Sequence, residues 1–293
     1  MIQQKLKKVL RNRMKTIPPV FNLLTNWEYQ IERDLIAGCH QTVNTHRSII
    51  HFSMNKAATQ YVKSILSRCA RENGIIHARI HDYAFDSNFP YLDSLSWQEM
   101  ERYRHIFQPK GYLYSVFGGM IANISNLEDY HIVLMVRDPR DILTSSYYSI
   151  GYSHQLPEGE NKITSFMEKR NLAQTATIDE YVLAEKESVL QTYQRYLDLL
   201  VYKANVHVTK YEEMIGDFST WLDNLLEYCN LKITPQLKQK LIDEAKNSRP
   251  TKEKISKHRR QVIPGNYKNK LKTKTIEQLN AYFADVLAEF AYI

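Results

Sequence analysis

Cysteine is scarce: Cys39, Cys69 and Cys229 form an odd, scattered set with no CxxC spacing. That argues against a disulfide framework or a cysteine-bound structural zinc, and it fits a reducing compartment. Long apolar runs are missing too. The longest purely aliphatic stretch is Ile132–Val136, far short of the roughly 20 residues that span a bilayer. The N-terminus is basic, yet neither an apolar h-region nor a small-residue cleavage site follows it. The expectation is a chain without a secretory signal, located in the cytoplasm. Also missing is any GxxxxGK[ST] loop, the glycine-rich phosphate cradle of P-loop nucleotide-binding proteins.

What is present is an ordinary soluble composition, 43% apolar and 24% charged over 293 residues, with length enough for an ample core. The net charge of +7 is unevenly placed. Met1 to Lys15 holds six basic residues and no acidic one, and Arg249 to Lys274 holds ten against Glu253 alone. Taking those six and that local +9 from +7 leaves the rest of the chain at −8. A basic chain invites a nucleic-acid reading. Confinement of the charge to two segments equally suits one small, highly anionic ligand. Ile2, Leu6, Leu10, Met14 and Ile17 recur near helical spacing before Pro18-Pro19. Residues 1–40 therefore read as a basic helical extension packed on or near a domain spanning 41–293. A peripheral membrane contact through residues 1–17 is the second reading.

Along that domain, "RSIIHFSM" (47–54) reads as a buried strand, then a turn "NKAAT", then a helix with Tyr61, Val62, Ile65, Leu66, Cys69 and Ala70 on one face and Gly74 as its stop. "YHIVLMV" is a second buried strand, followed by Asp138 as N-cap and Pro139 as first residue of a helix to about Ser149. A polar loop is expected from Gly151. The capping-box pattern Thr177-Ile-Asp-Glu180 then opens a helix to about Tyr202. "ANVHVTKY" alternates as a third strand, with helices at 218–229, after Pro235, and a single last one over "TIEQLNAYFADVLAEFAY". Apolar strands alternating with helices predict an α/β fold, a central parallel sheet between two helical layers. Ligands of such sheets bind beyond the carboxyl ends of the strands, where Lys56, Arg137 and Tyr211 fall. Arg137 also stands beside a helix N-terminus, which favours an anion.

Two stretches carry the chemistry. "NKAATQY" occupies the place of a phosphate loop but puts its lysine first, with small Ala57 and Ala58 and the hydroxyl of Thr59 behind it. "VRDPRDILTSSYY" sets an arginine at a strand end and Ser145 eight residues later, two turns into the helix. Their plain structural alternatives are a bare helix start, and an Arg137 paired with Asp138 or Asp141.

Together these stretches resemble the signatures of sulfotransferases that use 3′-phosphoadenosine 5′-phosphosulfate (PAPS). Lys56-Ala57-Ala58-Thr59-Gln60-Tyr61 is similar to the family's P-loop-like phosphosulfate cradle. Arg137-Asp138-Pro139-Arg140-Asp141-Ile-Leu-Thr-Ser145 matches its R-[ND]-P-x-D-x-x-x-S signature, in which Arg137 and Ser145 would hold the 3′-phosphate. "KYEEM" (210–214) is similar to a strand-end segment whose tyrosine, here Tyr211, lies beside the adenosine. "RQVIPGNYKNKL" (260–271) looks like the C-terminal RKGxxGxWKNxF element, with Arg259 and Arg260 as the basic pair that would close on the 3′-phosphate. Departures are Ala58 for the usual glycine, Gln60 for a hydroxyl residue, Tyr61 for the frequent tryptophan, and Gln261-Val262 for Lys-Gly.

The resemblance implies transfer of a sulfuryl group from PAPS to an acceptor oxygen or nitrogen, leaving adenosine 3′,5′-bisphosphate, with Lys56 stabilising charge on the bridging oxygen and no metal required. The general base is less plain. Many small-molecule members carry a histidine in a Thr-His-x-Pro segment, and the corresponding "GYLYSVFGGM" has none. Carbohydrate-type members tend to use a carboxylate after the first helix, where "ARIHDYAFDSN" offers Asp82 first and His81 second. That leans toward a carbohydrate or lipid-linked glycan acceptor, with nucleic acid excluded as a partner. The rivals are a kinase-like P-loop protein and a non-enzymatic binder of nucleic acid or membrane surfaces. The sequon Asn123-Ile-Ser125 is expected to be idle.

Overall fold

The computed structural model describes residues 25–202, 205–247 and 262–292. Its strands β1 (Ile49–Ser53), β2 (Ile76–Ala78), β3 (Tyr112–Phe117), β4 (His131–Val136) and β5 (Val206–Lys210) form one all-parallel sheet in the order β2-β3-β1-β4-β5. The helices in chain order are α1 (Gln30–Ile36), α2 (Thr59–Glu72), α3 (Ile80–Phe85), α4 (Trp97–Met100), α5 (Pro139–Tyr152) and α6 (Glu160–Thr175). Then come α7 (Ile178–Tyr196), α8 (Tyr211–Gly216), α9 (Phe218–Tyr228), α10 (Pro235–Asn247), α11 (Thr273–Tyr282) and α12 (Ala284–Glu289).

Every residue of β1 and β3 is buried, as is every residue of β4 after His131. Consecutive side chains point to opposite faces, so unbroken burial means that both faces are covered. This is the three-layer arrangement that the sequence predicts. Ile49, Phe52, Leu113, Ile132 and Leu134 sit at the centre of the main core. A second cluster, with Leu143, Tyr181, Leu279, Phe283 and Leu287, joins α5 and α7 to the two C-terminal helices.

Several local signals act as expected. Asp138 accepts from the Arg140 N–H and Pro139 opens α5. Thr177 and Glu180 form a reciprocal capping box at α7. Gly74, at φ +66°, follows the end of α2 in the left-handed conformation that glycine adopts without penalty.

Other expectations need correcting. β2 and β3 were not anticipated: "YLYSVF" is buried on both sides and rich in tyrosine, so it shows neither alternation nor an aliphatic run. The polar loop expected from Gly151 is shorter, because α5 continues to Tyr152 and α6 occupies 160–175. Only Ala173 of α6 is buried, so the helix lacks an apolar face to betray it. α7 ends at Tyr196 and gives way to a wider π-type turn at Leu197–Val201. The last predicted helix is two, separated at Phe283.

Register decides where the strands open. Ser53 lies beside Met135, Val136 beside Lys210, and Phe52 beside Phe117. The residues that follow, Lys56, Arg137, Tyr211 and Gly118-Gly119, therefore share one rim. β1 leads toward β2 on one side and β4 leads toward β5 on the other, so the order reverses between β1 and β4. Such a switch point is where open α/β sheets take their ligands.

Candidate active site

At the switch point two sequence stretches touch. The turn after β1 is closed by Ala57 N–H donating to the Met54 carbonyl (3.0 Å) and by the Thr59 hydroxyl donating to the same carbonyl (3.2 Å). Thr59 Oγ1 also lies 3.0 Å from the Ser53 hydroxyl. Lys56 (φ +71°) and Ala58 (φ +58°) both take the left-handed conformation, so the chain coils tightly into the N-terminus of α2. Ala57 is buried beneath the turn, Gln60 is exposed, and Tyr61 packs near Phe218 at 6.1 Å between ring centres. The Lys56 ammonium is pushed down to about 8, first by burial and then by the charge of Arg137. A cation so placed gains from any anion that arrives.

Arg137 is only 6% exposed. Its Nη1 donates to the Lys56 carbonyl at 2.9 Å, its Nη2 meets Asp141 Oδ2 at 3.2 Å, and its guanidinium carbon lies 4.2 Å from the centre of the Tyr211 ring. Tyr193 donates its hydroxyl proton to the Arg137 carbonyl. The Nε–H is buried without a hydrogen-bond partner among the described residues. An orphaned donor on a buried cation is costly unless something supplies an acceptor. Ser145, half-buried, follows about 10 Å along α5 from its N-cap at ~1.5 Å per residue.

Asp141 joins this corner to the C-terminal segment. Besides Arg137 it accepts from the Gly265 N–H (2.8 Å) and the Tyr267 N–H (3.0 Å). Arg140 points the other way. It pairs with Asp138 at 2.6 Å, donates to Asn280 and the Tyr292 carbonyl, and lies over the Tyr267 ring. The first arginine faces the rim, while the second ties α5 to the C-terminal helices. A cleft of about 600 Å³ lined by Asp138, Lys210, Glu212, Gly265, Tyr267 and Tyr292 borders this corner.

The other half of the rim lies over β2 and β3. Asp82 is held by Lys63 of α2, whose ammonium donates to both carboxylate oxygens at 2.8 Å. His81 stacks on Tyr91 at 4.8 Å between ring centres, with Nδ1 4.0 Å from Asp93 Oδ2. Asp93 also accepts from the Gly119 N–H at 2.9 Å, which brings it to the end of β3. Neighbouring Gly118 lies against Asn55, where a methyl group would come within 3.1 Å of the side-chain amide. Asp93, beside Gly119, is a polar rim residue that sequence reasoning missed. It sits in a short 3-10 turn, Leu92–Ser94, and no spacing in "PYLDSLSW" sets it apart. His154, missed likewise, follows α5, with Nδ1 2.8 Å from the Gln155 carbonyl and its ring 6.2 Å from Phe85. Burial lowers its affinity for a proton, and the charges of Lys56 and Arg170 add to that effect.

A family model for the sulfotransferase domain matches residues 49–291. The chain belongs to the sulfotransferase family. Comparison with curated proteins gave no match. Similar solved structures include a mouse sulfotransferase, SULT7A1, complexed with PAP, at 15% identity, with 88% of this chain and 89% of that one covered and a TM-score of 0.48. A retinol dehydratase in complex with androsterone and PAP is 14% identical over 88% and 85% of the two chains (TM-score 0.47). A sulfotransferase, STF9, from Mycobacterium avium is 11% identical over 90% and 81% (TM-score 0.48).

Of the residues that the sequence singled out in this sulfotransferase, Lys56, Arg137 and Tyr211 come together directly. Ala57, Ala58 and Thr59 shape the turn beneath them. His81 and Asp82 lie on the opposite half of the rim, at the start of α3. Arg259, Arg260 and residues 1–17 lie outside the described residues. Among the described residues no group of three or more His, Cys, Asp and Glu could hold a metal ion, and no helix is long and apolar enough to cross a membrane. The sequon residue Asn123 is buried, its side-chain amide donating to Trp97 O and Glu101 Oε2, so glycosylation would have to break both bonds.

Proposed function

We propose that this sulfotransferase takes PAPS as donor and transfers its sulfuryl group to a hydroxyl of a polyhydroxylated acceptor, a carbohydrate before all. The observation that carries the donor assignment is the Arg137 guanidinium, bonded to the Lys56 carbonyl with its Nε–H unsatisfied, at the switch point of the sheet. Arg137 and Ser145 would hold the 3′-phosphate, with Tyr211 beside the adenosine. The turn at 56–61 and the N-terminus of α2 would receive the phosphosulfate, whose sulfuryl group is the one transferred. Arg259 and Arg260 would complete the 3′-phosphate site. We assign 41–293 to one catalytic domain, with 1–40 as an extension of it, in a cytoplasmic protein.

Sulfuryl transfer is in-line displacement, so positioning and charge stabilisation dominate. Lys56 stabilises the negative charge that grows on the bridging oxygen as the S–O bond breaks. A base on the β2–β3 half of the rim, Asp82 or His81, takes the acceptor's proton. The polarity of that half supports a hydroxyl-rich acceptor: His81, Asp82, Lys63 and Asp93 gather there. Androsterone and retinol accompany PAP in retinol dehydratase complexes, so apolar alcohols belong in the acceptor panel.

Thermal unfolding with adenosine 3′,5′-bisphosphate, ATP with Mg²⁺, or an oligonucleotide tests the donor. At a ligand concentration 100 times Kd, stabilisation is about 2.7 kcal/mol, which raises Tm by about 5 °C in a chain of this size. A rise with the bisphosphate alone is expected. A rise only with ATP and Mg²⁺ or with the oligonucleotide would refute the reading. Labelled PAPS offered with glycans, lipids and phenols then identifies the acceptor class.

A further inference from the structure

The donor half of the rim accounts for Lys56, Arg137 and Tyr211, but it leaves His81 and Asp93 unused. Asp82, His154 and His81 all stand on this side, and their surroundings separate them as proton acceptors. The Asp82 carboxylate has both oxygens engaged by Lys63 at 2.8 Å, so protonating it would sacrifice a two-point ion pair. His154 stands in the field of two cations, Lys56 and Arg170, which oppose its becoming a third. His81 alone faces a carboxylate that is not paired with a lysine or arginine side chain among the described residues. Its Nδ1 is buried without a hydrogen-bond partner among the described residues and lies 4.0 Å from Asp93 Oδ2. The ring as a whole is partly exposed, with 29% of the side chain open against 12% for Asp93. The inner nitrogen therefore faces the carboxylate, and the ring's open part lies elsewhere.

The pair is built into the rim. Asp93 is fixed by the Gly119 N–H at the end of β3, and Gly118 abuts Asn55, the residue before Lys56. The His81 ring is held flat on Tyr91, over which the Lys162 ammonium lies at 4.4 Å. Lys162 is itself secured by the carbonyls of Ala84, Ser87 and Phe89, which bracket the end of α3. A base whose second nitrogen is oriented by a carboxylate is a recurring arrangement, and such contacts tighten when substrate binds.

We propose that His81 Nε2 is the general base of this sulfotransferase and that Asp93 is its positioning residue, holding Nδ1 and offsetting the charge the ring acquires. The proposal rests on the sulfuryl-transfer reading above. As the acceptor oxygen bonds to sulfur, the bond from sulfur to the bridging phosphate oxygen breaks. That oxygen keeps the electron pair, beside Lys56, and the acceptor's proton passes to His81 Nε2. The charged groups around the ring include Asp93 across from it, Asp86 and Lys162 beside Tyr91, Arg79 and Asp82 on its own segment, and Lys63 paired with Asp82.

The test uses the full chain with bound adenosine 3′,5′-bisphosphate, and His81→Gln, Asp93→Asn and Asp93→Ala variants. 15N NMR of the labelled histidines, His81 being identified by its loss in His81→Gln, is expected to place the proton of the neutral His81 ring on Nδ1, facing Asp93, and to show that tautomer preference lost in both Asp93 variants. Turnover of labelled PAPS, with water as acceptor in the absence of others, is expected to fall about 10²-fold or more in His81→Gln, with the bisphosphate-induced rise in Tm unchanged. An unchanged His81 tautomer in both variants would overturn the role of Asp93, and undiminished turnover in His81→Gln would overturn that of His81. Should the bisphosphate fail to raise Tm in the unaltered chain, the donor reading falls instead, a result distinct from either.

Discussion

Replacing Lys56 by methionine should make the ligand-free protein more stable while destroying its turnover. Burial and the charge of Arg137 bring the ammonium from its ordinary 10.5 down to about 8. Below pH 8 the lysine is charged in both folded and unfolded chains, and the folded state bears the whole penalty. At about 1.4 kcal/mol per pH unit that is about 3 kcal/mol, discounted to about 2 because the residue is only half-buried. Between pH 8 and 10.5 the folded lysine is neutral while the unfolded one is still charged, so the penalty fades as pH rises. Above 10.5 it is gone. Methionine fills a similar volume and carries no charge. Urea unfolding at pH 7 should thus place Lys56→Met about 2 kcal/mol above the unaltered protein, with the gap closing toward pH 10.5. Adenosine bisphosphate should narrow the gap at pH 7, because an anion beside the ammonium restores its affinity for the proton. A variant no more stable than the parent at pH 7, or a gap independent of pH, would refute the burial argument.

Other substitutions probe separate contacts. Ala58 holds φ +58°, where a methyl group costs about 1–2 kcal/mol, while glycine loses about 0.4–1 kcal/mol through the unfolded chain. Ala58→Gly should therefore raise the urea-derived stability slightly, by up to about 1 kcal/mol, and retain donor binding. Arg137→Lys keeps the charge but loses the forked contacts to Lys56 and Asp141, so calorimetry should show bisphosphate affinity lowered tenfold or more. Arg137→Ala should in addition cost about 3–5 kcal/mol of stability, because Asp141 would keep a buried charge with its cation removed. Asp82→Asn should reduce stability through loss of the Lys63 pair and leave most PAPS turnover intact; abolished turnover would return the base to Asp82.

The sequence made the Lys56–Arg137 corner legible because that corner is written in consecutive residues. Strand, turn and helix follow one another at 49–72 and again at 131–152, and Asp138-Pro139 announces its helix by cap chemistry alone. The β2–β3 half of the rim was poorly legible for the opposite reason. β2 has three residues, β3 hides its period by being buried on both faces, and Asp93 reaches Gly119 across 26 positions. Spacing along the chain carries no trace of such a contact. The pairing of Asp141 was also foreseen only in half. Its ion pair with Arg137 joins residues only four apart across the N-cap of α5. Its bonds to Gly265 and Tyr267 join segments more than 120 residues apart.

That last connection bears on how the protein is made. One carboxylate braces Arg137 and also fastens the backbone at 265 and 267. During synthesis the sheet leaves the ribosome long before those residues do. An emerging chain, or one truncated before Gly265, would have Lys56 and Arg137 in place with the brace incomplete. The corner around Arg137 should accordingly be completed only after residues 265–267 have emerged.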